Sequence, residues 1–223
     1  MKIKIDKIIR SKRKTISLTV TRAAELVVRC PEKTSIDYIE DLIERRSGWI
    51  SEKMKAASEY SSLHVKPVFS DGGRILYLGH YLALELSDAA KKISVDGDRL
   101  TFPVKYLSSP EDRLKMWYHS EAKRIISERT AALAAEYHFK YTGIKISGAR
   151  TRWGSCSYKN GLSFTRRLVM APVETVDYVI IHELCHTVIK NHSKTFWAKV
   201  KSILPDYKIR RGWLKDNRAL LDL

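Results

Sequence analysis

Three of the chain's seven histidines fall within eleven residues, at His182, His186 and His192, and the first two frame the segment His182-Glu183-Leu184-Cys185-His186. On an α-helix, residues four apart lie one above the other, so both imidazoles can face a single metal ion. Glu183 projects beside that direction, where it can take up a proton rather than ligate. Val176, Val179, Ile180, Leu184 and Val188 form an apolar stripe along the same segment, so the helix is expected to be buried. A tetrahedral catalytic site needs a third protein ligand and leaves its fourth place open. His192 is the candidate. A straight helix would carry position 192 about 600° round and ~9 Å beyond position 186. The chain must therefore turn near Lys190-Asn191, and Asn191 is a residue type that accepts the left-handed conformation at a helix end. Ser193 can then cap a helix opening with Lys194-Thr195-Phe196-Trp197. No glutamate follows Glu183, and Asp206, Asp216 and Asp222 are the only later carboxylates, which makes a glutamate third ligand a poor alternative.

The ligand set implies a chemistry. A zinc ion so held lowers the pKa of its water towards ~7, and Glu183 can accept that proton and return it to a leaving group. Peptide carbonyls and phosphoryl groups both respond to such a site, so the ligands alone do not choose between them. A merely structural zinc usually closes its shell with a fourth Cys or His. Cys185 points about 100° away from His186 on an ideal helix, towards the packing side. No spacing requires Cys156, and His64, His80, His119 and His138 lack ligand spacing, His119 beside Tyr118 standing nearest to an extra candidate. A second segment, Arg150-Thr151-Arg152-Trp153-Gly154-Ser155-Cys156-Ser157, reads as a strand just ahead of the metal helix. Its edge could hold an extended peptide through main-chain hydrogen bonds, with Gly154 permitting close approach. An ordinary hairpin with Trp153 in the core explains it equally well. Arg150 or Arg152 could meet an oxyanion or a phosphate, although an ion-paired surface arginine is the plainer reading.

The rest of the chain reads as α+β. Alternation over Ile16–Val20 and the run Leu26–Val28 predict strands, and Ser35 can cap a helix from Ile36 towards Tyr60. Turns at Asp71-Gly72-Gly73, Gly79-His80 and Asp96-Gly97 separate strands at 75–78, 81–86, 93–95 and 100–102. Ser109-Pro110-Glu111-Asp112 opens a helix reaching about Tyr137. A strand over 144–157, a turn at Asn160-Gly161 and a return strand over 162–169 precede helices near 173–190, 194–203 and 209–220. A boundary near 106 then separates a β-rich lobe with one helix, 1–105, from a metal-binding lobe, 106–223.

Composition narrows the partners. The 223 residues carry 41 Lys and Arg against 25 Asp and Glu, a formal charge of +16. Residues 145–223 alone hold 15 basic and 6 acidic side chains, so the positive charge is densest in the C-terminal third. Such a surface can steer nucleic acid, nucleotides or acidic proteins, or be no more than a solvated face. Of the basic clusters Arg10-Ser11-Lys12-Arg13-Lys14, Arg166-Arg167 and Lys208-Ile209-Arg210-Arg211, the first reads as a strand edge that resists pairing, and the last as a helix packed onto the core by Trp213, although an aromatic there also suits stacking on bases. No apolar run approaches the roughly 18 residues of a membrane span. Three widely spaced cysteines and an N-terminus without an apolar signal region point to the cytoplasm.

At these residues the chain resembles the YgjP-like metallopeptidase family, relatives of the SprT-like zinc peptidases. The resemblance begins at Arg10-Ser11-Lys12-Arg13-Lys14-Thr15-Ile16 and is strongest from Arg152-Trp153-Gly154-Ser155-Cys156-Ser157 onward. Its further marks are Leu168-Val169-Met170-Ala171-Pro172, Asp177-Tyr178-Val179-Ile180-Ile181, the segment 182–186, Asn191-His192-Ser193 with Phe196-Trp197, Pro205-Asp206-Tyr207 and Arg210-Arg211-Gly212-Trp213-Leu214. It implies a zincin-like catalytic lobe, zinc on His182, His186 and His192, and Glu183 as general base. One departure is Thr165, where Asn is expected in the return strand. The implied activity is a zinc-dependent peptidase acting on peptides or proteins. A metal-dependent nucleotide (UTP) pyrophosphohydrolase is the alternative enzyme, and a nucleic-acid-binding module with structural zinc the alternative of another class. The sequence has no Gly-rich phosphate loop or carboxylate cluster of the kind a Mg²⁺-dependent nucleotide enzyme uses.

Overall fold

The computed structural model describes residues 3–21, 24–63 and 67–222 and divides into two compact units, Met1–Val65 and Lys66–Leu223. The boundary expected near 106 falls inside the second unit, at a 3₁₀ turn over Val104–Tyr106. Among the described residues there are six α-helices and three small sheets of mixed strand direction, an α+β fold. No helix there is long and apolar enough to cross a membrane.

In the first unit, β1 (Lys7–Ser11) and β2 (Ser17–Val20) flank the central β3 (Leu26–Pro31), β1 parallel to it and β2 antiparallel. Leu26, Val28 and Cys30 alternate onto one face of β3 and pack with Ile39, Ile43 and Ile50. Those isoleucines come from two helices, α1 (Ile36–Arg45) and α2 (Ser47–Leu63), rather than the single helix expected. Arg46 breaks the run at φ −107°, ψ 11°, its N–H shared among the carbonyls of Leu42, Ile43 and Glu44. Ile43 and Ile50 lie seven residues apart, two helical turns, so the apolar period continues through the break and conceals it. Ser35 caps α1 as expected, accepting the Tyr38 N–H at 3.3 Å. Arg10 and Ser11 lie in β1, an edge strand the sequence reading did not find, because only Ile8 and Ile9 are partly covered there. Arg10 donates to the Glu32 and Thr34 carbonyls at 2.9 and 2.6 Å.

The second unit opens with β4 (Arg74–Tyr77), β5 (His80–Ser87), β6 (Ser94–Asp96) and β7 (Arg99–Pro103), ordered β4-β5-β7-β6. Leu78 and Gly79 form the β4–β5 turn with φ of 49° and 85°. A Cβ at Gly79 would meet the Pro172 ring at 2.9 Å. The two N–H groups donate to the Val169 and Met170 carbonyls at 2.8 and 3.1 Å. This hairpin tip therefore fixes the segment that leads into the helix carrying His182 and His186. The long α3 (Pro110–Glu136) begins with Pro110 as expected, but the Ser109 hydroxyl makes no capping bond.

The expected strand over 144–157 is two short strands, β8 (Gly143–Ser147) and β9 (Gly154–Cys156), on opposite sides of β10 (Gly161–Thr165). Asn160, at φ 60°, carries the turn between β9 and β10. β10 stops at Thr165, and the buried run Leu168-Val169-Met170 is a 3₁₀ turn over Arg166–Met170 rather than strand. A short buried apolar run reads alike in either conformation. The chain closes with α4 (Val173–Cys185), α5 (Lys194–Ile203) and α6 (Tyr207–Asp216).

Candidate active site

His182 and Glu183 lie in the last turn of α4, and His186 ends the helix, its N–H still bonded to the His182 carbonyl at 3.3 Å. The chain turns sooner than expected. Thr187 N–H donates to Leu184, and Val188 and Ile189 N–H both donate to Cys185, which closes the helix before Lys190. Asn191 is not in the left-handed region. Its side-chain oxygen instead accepts the Ser193 N–H at 3.2 Å. Ser193 then caps α5 through the Phe196 N–H at 3.4 Å, as expected. Lys190 anchors the same loop to the β9–β10 turn, reaching Asn160 Oδ1 at 2.5 Å and the Ser157 carbonyl at 3.1 Å.

This turn brings His192 back to α4. Its Nε2 lies 3.0 Å from that of His182 and 3.1 Å from that of His186. The ligand atoms of the three residues all lie within 4.8 Å of one another, the one such cluster among the described residues. Zn–N bonds of about 2.0–2.1 Å in a tetrahedron place ligand nitrogens ~3.3 Å apart, close to this spacing. His186 Nδ1–H donates to the Ile189 carbonyl at 2.9 Å, which leaves its Nε2 lone pair facing the cluster. The buried His182 Nδ1 has no hydrogen-bond partner among the described residues. Burial, reinforced by His186, His192 and Arg211, pushes the His182 pKa down to about 3. Burial lowers His186 as well, the Ile189 carbonyl opposing and His192 and Lys190 assisting. Neutral imidazoles aimed at one point fit a divalent transition metal.

The rings are held by aromatic neighbours that the spacing argument did not find. Phe196 stacks on His186 at 4.3 Å between centroids, and Trp197 on His192 at 5.6 Å. Tyr207 stacks behind Trp197 at 5.4 Å, and the Arg211 guanidinium lies 5.0 Å from the Trp197 ring centre. A ring pair across two elements leaves no periodic trace; Phe196-Trp197, Tyr207 and Arg211 carried a signal only as parts of the resemblance.

Glu183 is 5% exposed. Burial pushes its carboxyl up to about 8, with Arg152 opposing. A nearby cation favours the carboxylate form, so a metal at the histidines would bring Glu183 back towards the charged state. Gly154 of β9 permits a close approach, as expected, but the group it admits is Glu183: an added Cβ would lie 2.6 Å from Oε1. β9 is an outer strand, paired on one side to β10. A cleft of about 500 Å³ lies beside it, walled by Trp153 and Gly154, by Tyr178, His182 and Glu183 of α4, by Arg211 and Lys215 of α6, and by Arg218 in the turn that follows.

The remaining candidates lie elsewhere. Arg150 bonds Asp222 at 3.2 Å, so it is an ion-paired arginine rather than an oxyanion ligand. Arg167 is buried and pairs with the same carboxylate at 2.8 Å. Its guanidinium also lies 4.9 Å from the Trp153 ring centre. Thr165 holds both ends of the loop before β9, donating its hydroxyl to Ala149 at 2.8 Å and its N–H to Trp153 at 2.9 Å. Cys185 is buried in the core, and Cys156 lies outside the metal cluster, 3.7 Å from Lys190 Nζ. His80, His119 and His138 are exposed and outside the cluster, and His64 lies outside the described residues.

A YgjP-like metallopeptidase domain matches residues 14–217. The chain belongs to that family. At family level this makes it a metallopeptidase-type hydrolase, which implies a bound metal, typically zinc, and a protein or peptide substrate. The match lends no support to a nucleic-acid partner. No curated protein and no solved structure was found to match the chain. The YgjP-like match takes in the cluster, Glu183, β9 and the whole of α6.

Proposed function

We propose that this chain is a zinc-dependent peptidase in which His182, His186 and His192 hold the ion and Glu183 is the general base. The observation that carries this reading is the convergence of three imidazole nitrogens beside a buried carboxyl on the same helical turn. Zinc supplies Lewis-acid polarisation and a water acidic enough to react at neutral pH. Glu183 takes a proton from the attacking water and passes it to the leaving amine. Its burial and the backing of Gly154 keep the carboxyl in one place. The free edge of β9 aligns the substrate in an extended form through main-chain hydrogen bonds.

The nucleotide reading is less well supported, because Glu183 is the one carboxylate among the residues walling the cleft and a Mg²⁺–phosphate site calls for several. The three free cysteines suit a reducing compartment, the cytoplasm. Metal content measured by mass spectrometry should show about one zinc per chain, lost in His192→Ala and kept in Glu183→Gln, with peptide hydrolysis lost in both. Zinc retained by His192→Ala would remove the third ligand, and an active Glu183→Gln would remove the base.

A further inference from the structure

The cleft beside Glu183 is walled on its α6 side by three cations. Arg211 and Lys215 stand at i and i+4 on α6, so they share one face of the helix, and Arg218 follows in the turn after it. Like charges at that spacing repel and weaken a helix. The nearest carboxylates do not relieve them. Glu183 is buried at the floor of the cleft, and Asp222 is buried against Arg167 and Arg150. Asp216 is exposed on α6 but turned about 100° from Lys215. Arg211 rests on Trp197, and Arg218 donates to the Arg150 carbonyl at 3.2 Å. Lys215 is exposed and makes no ion pair among the described residues.

We propose that this stripe binds substrate carboxylates, so that the cleft selects acidic peptides. The inference rests on the peptidase reading given above. Spacing favours a carboxylate-bearing chain over a single compact anion. Arg211 to Lys215 is ~6 Å along the helix axis. Alternate side chains of an extended peptide fall on the same side, ~6.7 Å apart. Two acidic residues at positions n and n+2 of a peptide laid along β9 therefore match two of the cations. A free terminal carboxylate supplies the same chemistry at one end.

Binding separates this idea from hydrolysis. Fluorescein-labelled octapeptides are titrated into zinc-loaded Glu183→Gln protein and followed by anisotropy. Four probes are used: an alanine-based peptide amide, the same peptide with Glu at n and n+2, its lysine counterpart, and the alanine peptide with a free C-terminal carboxylate. The acidic probe should bind at least ~10-fold tighter than the alanine amide, a gap that closes at high salt. Adding Lys215→Glu should remove most of that preference and raise affinity for the lysine probe, which a misfolded protein would not do. The free-acid probe tells a terminal carboxylate from side-chain carboxylates. Equal binding of all four probes, a preference unchanged by Lys215→Glu, or displacement by a nucleoside triphosphate with no acidic-peptide binding would each overturn the proposal. If acidic peptides bind as expected but wild-type protein cleaves none of them, the fault lies with the peptidase reading and not with the stripe.

Discussion

Gly154 stands flush against Glu183: a methyl group at residue 154 would lie 2.6 Å from the carboxyl Oε1 and 2.7 Å from Cγ. Gly154→Ala must push the carboxyl aside within a buried site. A displacement near 1 Å at a reacting group costs on the order of 10²-fold in rate. The substitution should lower kcat by about that factor while metal content stays at the wild-type level, checked by steady-state kinetics beside metal analysis.

Glu183 also governs how the metal-free protein responds to pH. Its carboxyl is raised from an ordinary 4.5 to about 8 in the fold. The folded chain therefore holds this proton more tightly than the unfolded chain. The associated stability is complete below 4.5 and is lost as pH rises through about 8. With metal chelated, Glu183→Gln should exceed wild type in stability by about 1 kcal/mol at pH 5 and ~4 kcal/mol at pH 8. Urea denaturation at the two pH values measures the difference, and a gap that shrinks with rising pH would contradict it.

Trp197 should matter for metal affinity more than for folding. It is half-buried and stacks on His192, the exposed member of the cluster. Partners that orient a ligand are typically worth 10–100-fold in affinity, so Trp197→Ala should weaken zinc binding by about that range. Competition against a chromophoric chelator reads it directly, with the thermal melt of the chelated protein as the control.

The ion pair of Arg167 and Asp222 is the most exacting contact near β9, since both side chains are 4% exposed. Breaking a buried ion pair by removing one partner costs about 3–5 kcal/mol. Asp222→Ala should show that loss in chemical denaturation. Arg150→Ala, which touches the same carboxylate from the surface, should cost much less.

The histidines were legible because four-residue spacing on an apolar helix is a local pattern that survives folding unchanged. The Ser193 cap and the turn at Asn160 were local too. The fold class followed from alternation and turn residues, but several bounds did not. Ile43 and Ile50 keep helical phase across Arg46, so periodicity alone cannot show the break. The Leu168–Met170 run is equally apolar as strand or 3₁₀ turn. The turn before His192 was placed at Asn191 on residue preference, whereas the carbonyls of Leu184 and Cys185 decide it. The stacking of Phe196 and Trp197 on histidines crosses from α5 to the end of α4 and the loop after it, and the burial of Arg167 against Asp222 joins residues 55 apart, so no periodicity along the chain records either.

Arg167 leaves the ribosome 55 residues before Asp222. A nascent chain can therefore expose all three histidines and Glu183 while the arginine beneath Trp153 still lacks its counter-charge. That arginine must stay in water until the carboxylate arrives, so the strand beside Glu183 is expected to settle last. Synthesis itself then delays the moment at which the cleft beside Glu183 is complete.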